Sequence, residues 1–299
     1  MKINHLGLIL LLVLVWGFNF IFIHLGLNSY PPLFLCVLRF VLTAYPFVFF
    51  IKRPKVPLKL LITYGVVLYG FQFAFLFSGM KAGMSPGLAS LLAQTQAFFT
   101  IGLAAWLTKE RPTAPKIIGA CISFLGIVVV AFHIEKEITA IGLICTLLGA
   151  FSWASGNILA KKIGTVNPLA LVVWGSLFAI PFLLATSLIF EGPTAIVRSV
   201  VHTSWTDALS VFYIVYMSTH LGYSIWAYLM TLYPAATIAP FSLLVPFFGF
   251  MGSTLVLGEP FPIWKFYAAA LVILGLCVNV FSKSPASAGL KRPSSARRS

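Results

Sequence analysis

Polar side chains buried deep inside long apolar segments are the groups in this chain able to do chemistry. Asn19, Gln72, Gln94, Gln96, Trp153, Asn157, His220, Tyr223 and Trp226 all lie within such segments, with Ser242 and His24 close by. Amides, indoles, a phenol and an imidazole can grip a polar or zwitterionic solute by hydrogen bonds while adding no fixed charge. Trp153 and Asn157, four apart, share one helical face. His220, Tyr223 and Trp226, spaced by three, form an aromatic polar stripe. Gln94 and Gln96, two apart, cannot face the same way on a helix. The competing reading is structural. Single amides bridge packed helices for only ~0.6 kcal/mol on average, and aromatic residues also serve as interfacial belts.

Arg39 is the clear charged residue inside an apolar segment. It can snorkel outward along its own stem, pair with an acid such as Glu259, or hold a substrate carboxylate. Pro240 and Pro246 interrupt one segment and Pro181 another, and each removes a helix hydrogen bond. Leu91 and Ala97 occupy the positions corresponding to Pro240 and Pro246, so the two halves are expected to differ mechanically.

No Asp or Glu lies deep in any segment. Ion-coupled carriers commonly place a carboxylate there, which leaves His24 and His220 as the only membrane proton carriers. The chain has no phosphate-binding loop, no HExxH and no GxSxG. Neither an enzyme nor an ATP-driven pump is expected, and no cofactor or metal is implied. Cys36, Cys121, Cys145 and Cys277 show no CxxC pairing and read as buried small hydrophobes.

The elements that must position these residues are ten apolar stretches, at 5–27, 33–51, 60–80, 86–107, 115–133, 139–161, 168–190, 208–230, 235–257 and 263–282. The chain is 60% hydrophobic and 9% charged, beyond what a soluble domain of 299 residues uses. Crossing a ~30 Å bilayer core takes ~20 apolar residues per helix. The fold class is therefore all-α integral membrane. Segment 1 has only Lys2 before it and no small-residue cleavage site after it, so it reads as retained.

The net charge of +14 suggests nucleic-acid binding until the charges are placed. With the N-terminus cytoplasmic, fifteen Lys and Arg fall inside against four outside, and five of six acids (Glu135, Glu137, Glu191, Asp207 and Glu259) fall outside. The basic excess is thus a topology signal for cytoplasmic termini in a bacterial inner membrane, and nucleic acid is not an expected partner. Residues 191–207 form a longer outside loop whose stretch 195–205 is mildly amphipathic and suits the interface. The Ser/Pro/Arg tail 283–299 is too polar to bury and is expected to be disordered, with its basic residues near anionic lipid.

The stretches fall into two halves. Sliding the chain by 149 positions lays Glu110 on Glu259, Leu125-Gly126 on Leu274-Gly275 and Phe98-Phe99 on Phe247-Phe248. Five helices per half is odd, so the second half, 139–282, crosses the membrane in the opposite sense to the first, 5–133. Two inverted five-helix repeats are how many secondary transporters build a site that faces either side. Gly119-x-x-x-Ser123 is a small-residue spacing suited to helix packing within one chain or in a homodimer.

Val15-Trp-Gly-Phe-Asn-Phe20, Leu38-Arg39-Phe40, Gln94-Thr-Gln96-Ala-Phe-Phe-Thr100 and Glu110-Arg111 resemble the EamA family of the drug/metabolite transporter superfamily. In the second half Ala150-Phe-Ser-Trp153, Gly156-Asn157, Gly222-Tyr223, Ser242 to Pro246 and Gly258-Glu259 agree. The resemblance implies ten helices and alternating access by rocking of the halves. It also implies a central cavity lined by Asn19, Gln72, Gln94, Gln96, Trp153, Asn157, Tyr223 and Trp226. The implied function is export of a small polar amino acid or metabolite, of the cysteine or O-acetylserine kind, with or without proton coupling. His220 departs from the smaller apolar residue expected before Leu-Gly-Tyr. The alternatives are an importer, a broad drug carrier, and a membrane sensor or assembly factor that keeps the fold.

Overall fold

In hydrocarbon every backbone N–H and C=O must be paired within its own segment, so apolar runs become helices. The computed structural model describes residues 2–107, 112–133, 138–233 and 235–281. The expectations for Glu110, Arg111, Glu135, Glu137 and the tail 283–299 lie outside these residues. Seven long helices come first: α1 (Ile3–Ser29), α2 (Pro32–Phe49), α3 (Leu58–Lys81), α4 (Pro86–Leu107), α5 (Ala114–Ala131), α6 (Ala140–Ile163) and α7 (Pro168–Phe190). A short helix, Pro193–Val201, follows. Next, α8 runs without interruption through Trp205–Phe212, Tyr213–Leu221 and Gly222–Leu232. α9 comprises Ala235–Ile238, Ala239–Leu244 and Val245–Leu257, and α10 is Ile263–Phe281. Pro32, Pro86, Pro168 and Pro193 stand in first turns, where a missing N–H costs nothing. Asn167 caps α7, accepting from Leu169 N at 2.9 Å.

Among the described residues nine stretches are long and apolar enough to cross a membrane: α1 to α7, Pro240–Leu257 of α9, and α10. The expected span 208–230 folds as part of α8 but is not among them, because Ser210, Ser218, Thr219, His220 and Ser224 make it more polar. Large apolar side chains such as Ile117, Phe124, Leu125, Phe190 and Leu255 point outward, the pattern of a surface solvated by lipid. The protein is an all-helical, multi-pass membrane protein.

The helix pairings carry an internal symmetry. α5 packs on α10, α4 on α9 and α2 on α7; α3 packs on α6 as α1 does on α8; α4 packs on α6 as α1 does on α9. Exchanging each helix for the one five places along reproduces the set. The irregularities obey the same relation. α3 widens into a π-helical turn at Val66–Phe71 and α8 at Tyr213–Leu221. α4 breaks at Gln94–Thr95, and α9 tightens into a 3₁₀ turn at Ala239–Leu244. The 149-position offset carries each feature of the first half into its counterpart. The mechanical difference expected from Pro240 and Pro246 is therefore smaller than anticipated, since α4 breaks without a proline. Pro240 lies in the 3₁₀ turn and Pro246 in the first turn of Val245–Leu257, while Pro181 leaves α7 continuous.

Side-chain bonds define the two ends of the bundle. At one end His5 Nδ1 meets the Tyr233 hydroxyl at 2.8 Å and the Trp174 indole donates to Ile51 O at 2.9 Å. Here Lys2 lies with Lys52, Arg53, Lys55 and Lys59. Among the described residues the opposite, distal end is cross-bonded more densely. Lys81 Nζ donates to Leu27 O at 2.5 Å, Tyr30 meets Thr203 at 2.9 Å, and Thr139 donates to Ala82 O. Glu191, at the end of α7, accepts from Leu33 N at 2.6 Å, Phe34 N at 3.0 Å and Ser187 Oγ at 2.7 Å. A carboxylate on the first N–H groups of α2 satisfies orphan donors and complements the helix dipole. Glu191→Ala is expected to cost about 2 kcal/mol, read as a lowered melting temperature of the purified protein with Glu191→Gln intermediate.

The cysteines only partly meet expectation: Cys36 is buried, but Cys121 is exposed on the outer surface of α5. The Gly119 and Ser123 spacing packs within the chain, against Gly275 and Val272 of α10.

Candidate functional site

Near the middle of the bundle three polar clusters form where helices depart from regular geometry. The first joins α4 to α6. Asn157 Nδ2 donates to Gln96 Oε1 at 2.9 Å and to Thr100 Oγ1 at 3.1 Å, while Thr100 donates to Gln96 O at 2.7 Å. All three residues are half-buried, so the cluster is not sealed into the core. Trp153, one turn away on α6, is half-buried against the main core.

The second cluster joins the breaks of α4 and α9. Gln94 Nε2 donates to Ser242 O at 3.1 Å. A 3₁₀ turn and a helix break leave backbone groups outside the regular i to i−4 ladder, and a side-chain amide supplies the missing partner. Gln94 and Gln96 thus face different helices, as their spacing requires.

The third cluster joins α1 to α8. Trp16 Nε1 donates to Ser218 O at 3.1 Å, within the π turn of α8. Its ring lies 5.8 Å from Tyr223 and 5.5 Å from Trp226. Gly222 permits this approach, since a β carbon there would collide with the Trp16 indole. In the counterpart helix pair Ser152 of α6 donates to Val67 O, in the π turn of α3, at 2.8 Å. Both widened turns therefore have a carbonyl satisfied from the neighbouring helix.

His220 does not join Tyr223 and Trp226. The π turn Tyr213–Leu221 shifts the helical phase, so the imidazole packs against Phe47 at 4.2 Å and Tyr216 at 5.8 Å. Asn19 and Gln72 are buried. Arg39 is also buried, donates to Thr219 Oγ1 at 3.0 Å and lies 4.3 Å from the Phe73 ring centre. It neither snorkels nor reaches Glu259. That carboxylate pairs with Lys265 at 2.9 Å at the distal end. Burial pushes the Glu259 carboxyl up, and the Lys265 ammonium with neighbouring serine hydroxyls pulls it down further, to below its ordinary range.

Trp16, Thr100 and Thr219 join the functional groups without having been singled out from sequence. Thr100 could have been found one turn beyond Gln96. Trp16 and Thr219 could have been found only by knowing that α8 widens.

The arrangement offers amide, hydroxyl and indole hydrogen-bonding groups beside one guanidinium. Groups of these types can hydrogen-bond a polar solute. The profile of the EamA-like transporter family matches residues 5–132 and again 140–281. The chain belongs to the EamA-like transporter family. It is 44% identical over 281 residues to a protein of Salmonella typhimurium named a probable amino-acid metabolite efflux pump, covering 92% of this chain and 94% of that one. A protein of Escherichia coli K12 with the same name is 43% identical over 284 residues, covering 92% and 94%. A crystal structure of another protein, 16% identical, superposes with a TM-score of 0.64 over 93% of this chain and 96% of its own, which establishes a shared fold. Membership of the EamA family makes the chain a membrane transporter.

Proposed function

We propose that this protein exports a small polar amino acid or related metabolite, of the cysteine or O-acetylserine kind, by alternating access and without ion coupling. The carrying observation is the Gln96–Thr100–Asn157 cluster at mid-bundle, reachable from outside the core. The names of the Salmonella and Escherichia relatives support the substrate class.

The unequal closure of the two ends supports the mechanism. In α4 every residue of Pro86–Ala93, toward the distal end, is buried, whereas none of Gln96–Leu107 is. The basic residues gather at the end with Lys2, which the positive-inside rule makes cytoplasmic. This difference along α4 supports a state closed toward the outside of the inner membrane and accessible from the cytoplasm. The pseudo-symmetric pairing supports a second state in which the two five-helix halves, in inverted orientation, exchange roles.

Counterflow in proteoliposomes tests this. Purified protein is preloaded with one unlabelled amino acid at a time, and trace labelled cysteine or O-acetylserine is added outside. Transient label accumulation without an ion gradient is the expected outcome. Flat traces across amino acids and metabolites overturn the reading. Among the described residues neither a carboxylate nor a histidine joins the three mid-bundle clusters, so an imposed proton gradient should leave the initial rate unchanged. Strong acceleration by that gradient contradicts uncoupled export.

A further inference from the structure

We propose that Arg39 is a carboxylate-binding group, the anchor for the acid end of the transported amino acid. Arg39 is 2% exposed, near the middle of α2. It makes one hydrogen bond, from Nη2 to Thr219 Oγ1 at 3.0 Å. Nε and Nη1 are buried without an acceptor. Among the described residues no acid pairs with it, since Glu259 serves Lys265 and Glu191 serves the start of α2.

Such a charge is expensive. Arginine stays protonated, and an unpaired ion in low dielectric is strongly destabilising. The faces of Phe73 at 4.3 Å and Phe40 at 5.8 Å relieve part of the cost. Ring faces accept no N–H in the guanidinium plane, so the fork itself is unsatisfied. Nη2 carries two hydrogens and spends one on Thr219. The other lies on an edge shared with Nε or Nη1, and both of those are free. One complete two-nitrogen edge is therefore available, the geometry that takes a carboxylate bidentately.

The surroundings suit an amino acid. Thr219 donates its own proton to Ile214 O at 2.8 Å, inside the π turn, which turns its lone pair toward Arg39 and fixes the fork. The phenols of Tyr223 and Tyr69 are electrostatic neighbours of the guanidinium, and Tyr223 packs on Trp16. A ligand held by its carboxylate at Arg39 would present its remaining polar groups to the Trp16–Tyr223–Trp226 cluster. The proposal rests on the transport reading only in taking the ligand to be a transported amino acid.

The test is tryptophan fluorescence of the full chain in nanodiscs. It is titrated at constant chloride with a panel of α-amino acids, including L-cysteine and O-acetyl-L-serine, each beside its methyl ester. A saturable response to free acids is expected, with esters weaker by about tenfold or more. Arg39→Gln should erase the acid–ester difference and Arg39→Lys should keep part of it. Arg39→Gln should not lower the melting temperature, because it removes an unpaired buried charge. A structural role predicts a lower one. Esters that bind the unaltered protein as tightly as acids overturn the proposal without any variant, as does the absence of a saturable response anywhere in the panel. Acid-selective binding without counterflow sinks the transport reading and leaves the site. Counterflow of acid and ester alike does the reverse.

Discussion

Gly275→Leu is expected to lower the melting temperature and the yield of folded protein sharply, whereas Gly102→Leu leaves both intact. α5 buries only Gly119, Ser123, Gly126 and Val130, a single stripe of mostly small residues spaced by four, three and four. That stripe lies on α10. A β carbon at Gly119 would stand 2.6 Å from Gly275 O, and one at Gly126 would stand 2.9 Å from Ala268 O. At Gly275 it would meet Gly119 O, Ser123 Oγ and, at 2.8 Å, Ser123 N. Apart from Ser123 Oγ these obstacles are backbone atoms, which cannot rotate away, so the helices must separate. Ser123 Oγ to Val272 O, at 2.9 Å, would break with them. In lipid no hydrophobic effect presses the helices back together, and close van der Waals packing is what holds them. The cost is about 3 kcal/mol or more, a large fraction of a typical net stability. Gly102 has nothing within 4 Å of its absent β carbon, so the control differs in packing and not in residue type. The measurements are the yield of monodisperse protein and its melting temperature. Equal yields for the two variants would mean that α5 and α10 do not depend on this contact.

The α5–α10 stripe also separates what could be read in the sequence from what could not. Gly119 and Ser123 were legible as a packing spacing, because the rule behind them is local. Their partner was not, since a small-residue face fits another helix of this chain as well as a second copy. Helix bounds were legible where a proline opens the helix. The expected segments 86–107 and 168–190 coincide with α4 and α7, because a proline lacking its N–H is tolerated only at the start. The polar groups of the site were legible one by one, since an amide inside an apolar run has to find a partner somewhere. Their grouping was less so. A 3.6-residue period puts His220, Tyr223 and Trp226 on one stripe, but a π turn adds a residue and swings the face preceding it. Tyr213–Leu221 sends His220 toward Phe47 and leaves Tyr223 and Trp226 on Trp16. Nothing in the residues 213–221 demands a wide turn. A partner far away in sequence meets it, the Trp16 indole on Ser218 O. The break at Gln94–Thr95 has the same origin. No proline or glycine marks it, and the Gln94 side chain there reaches across the bundle to donate to Ser242 O in the α9 turn.

The same origin separates helix glue from transport site in the Gln96–Thr100–Asn157 cluster. If these bonds only join α4 to α6, removing them costs what interhelical hydrogen bonds in membranes cost, ~0.6 kcal/mol on average, and flux falls only as folded protein is lost. If they bind the solute, its recognition loses the same bonds at the rate-determining encounter. Asn157→Leu deletes the donor to both Gln96 Oε1 and Thr100 Oγ1 and puts an apolar branch in their place. The residues are half-buried and line a part of α4 that buries none of its side chains, so leucine has room and stability should change little. Recognition should suffer more. Each hydrogen bond to a neutral polar group is worth about 1 kcal/mol, and an acceptor left unpaired against the ligand costs about 1–3 kcal/mol. Counterflow at limiting substrate is therefore expected to fall by roughly 10- to 100-fold, with the melting temperature lowered by no more than about 4 °C. Thr100→Val removes one bond instead of two and should fall between Asn157→Leu and the unaltered protein. Saturating substrate should restore part of the rate in both variants, because weakened binding raises KM before it touches turnover. A fall in flux matched by an equal loss of folded protein, with KM unchanged, would make the cluster glue and leave solute binding to Arg39 and the Trp16–Tyr223–Trp226 cluster alone.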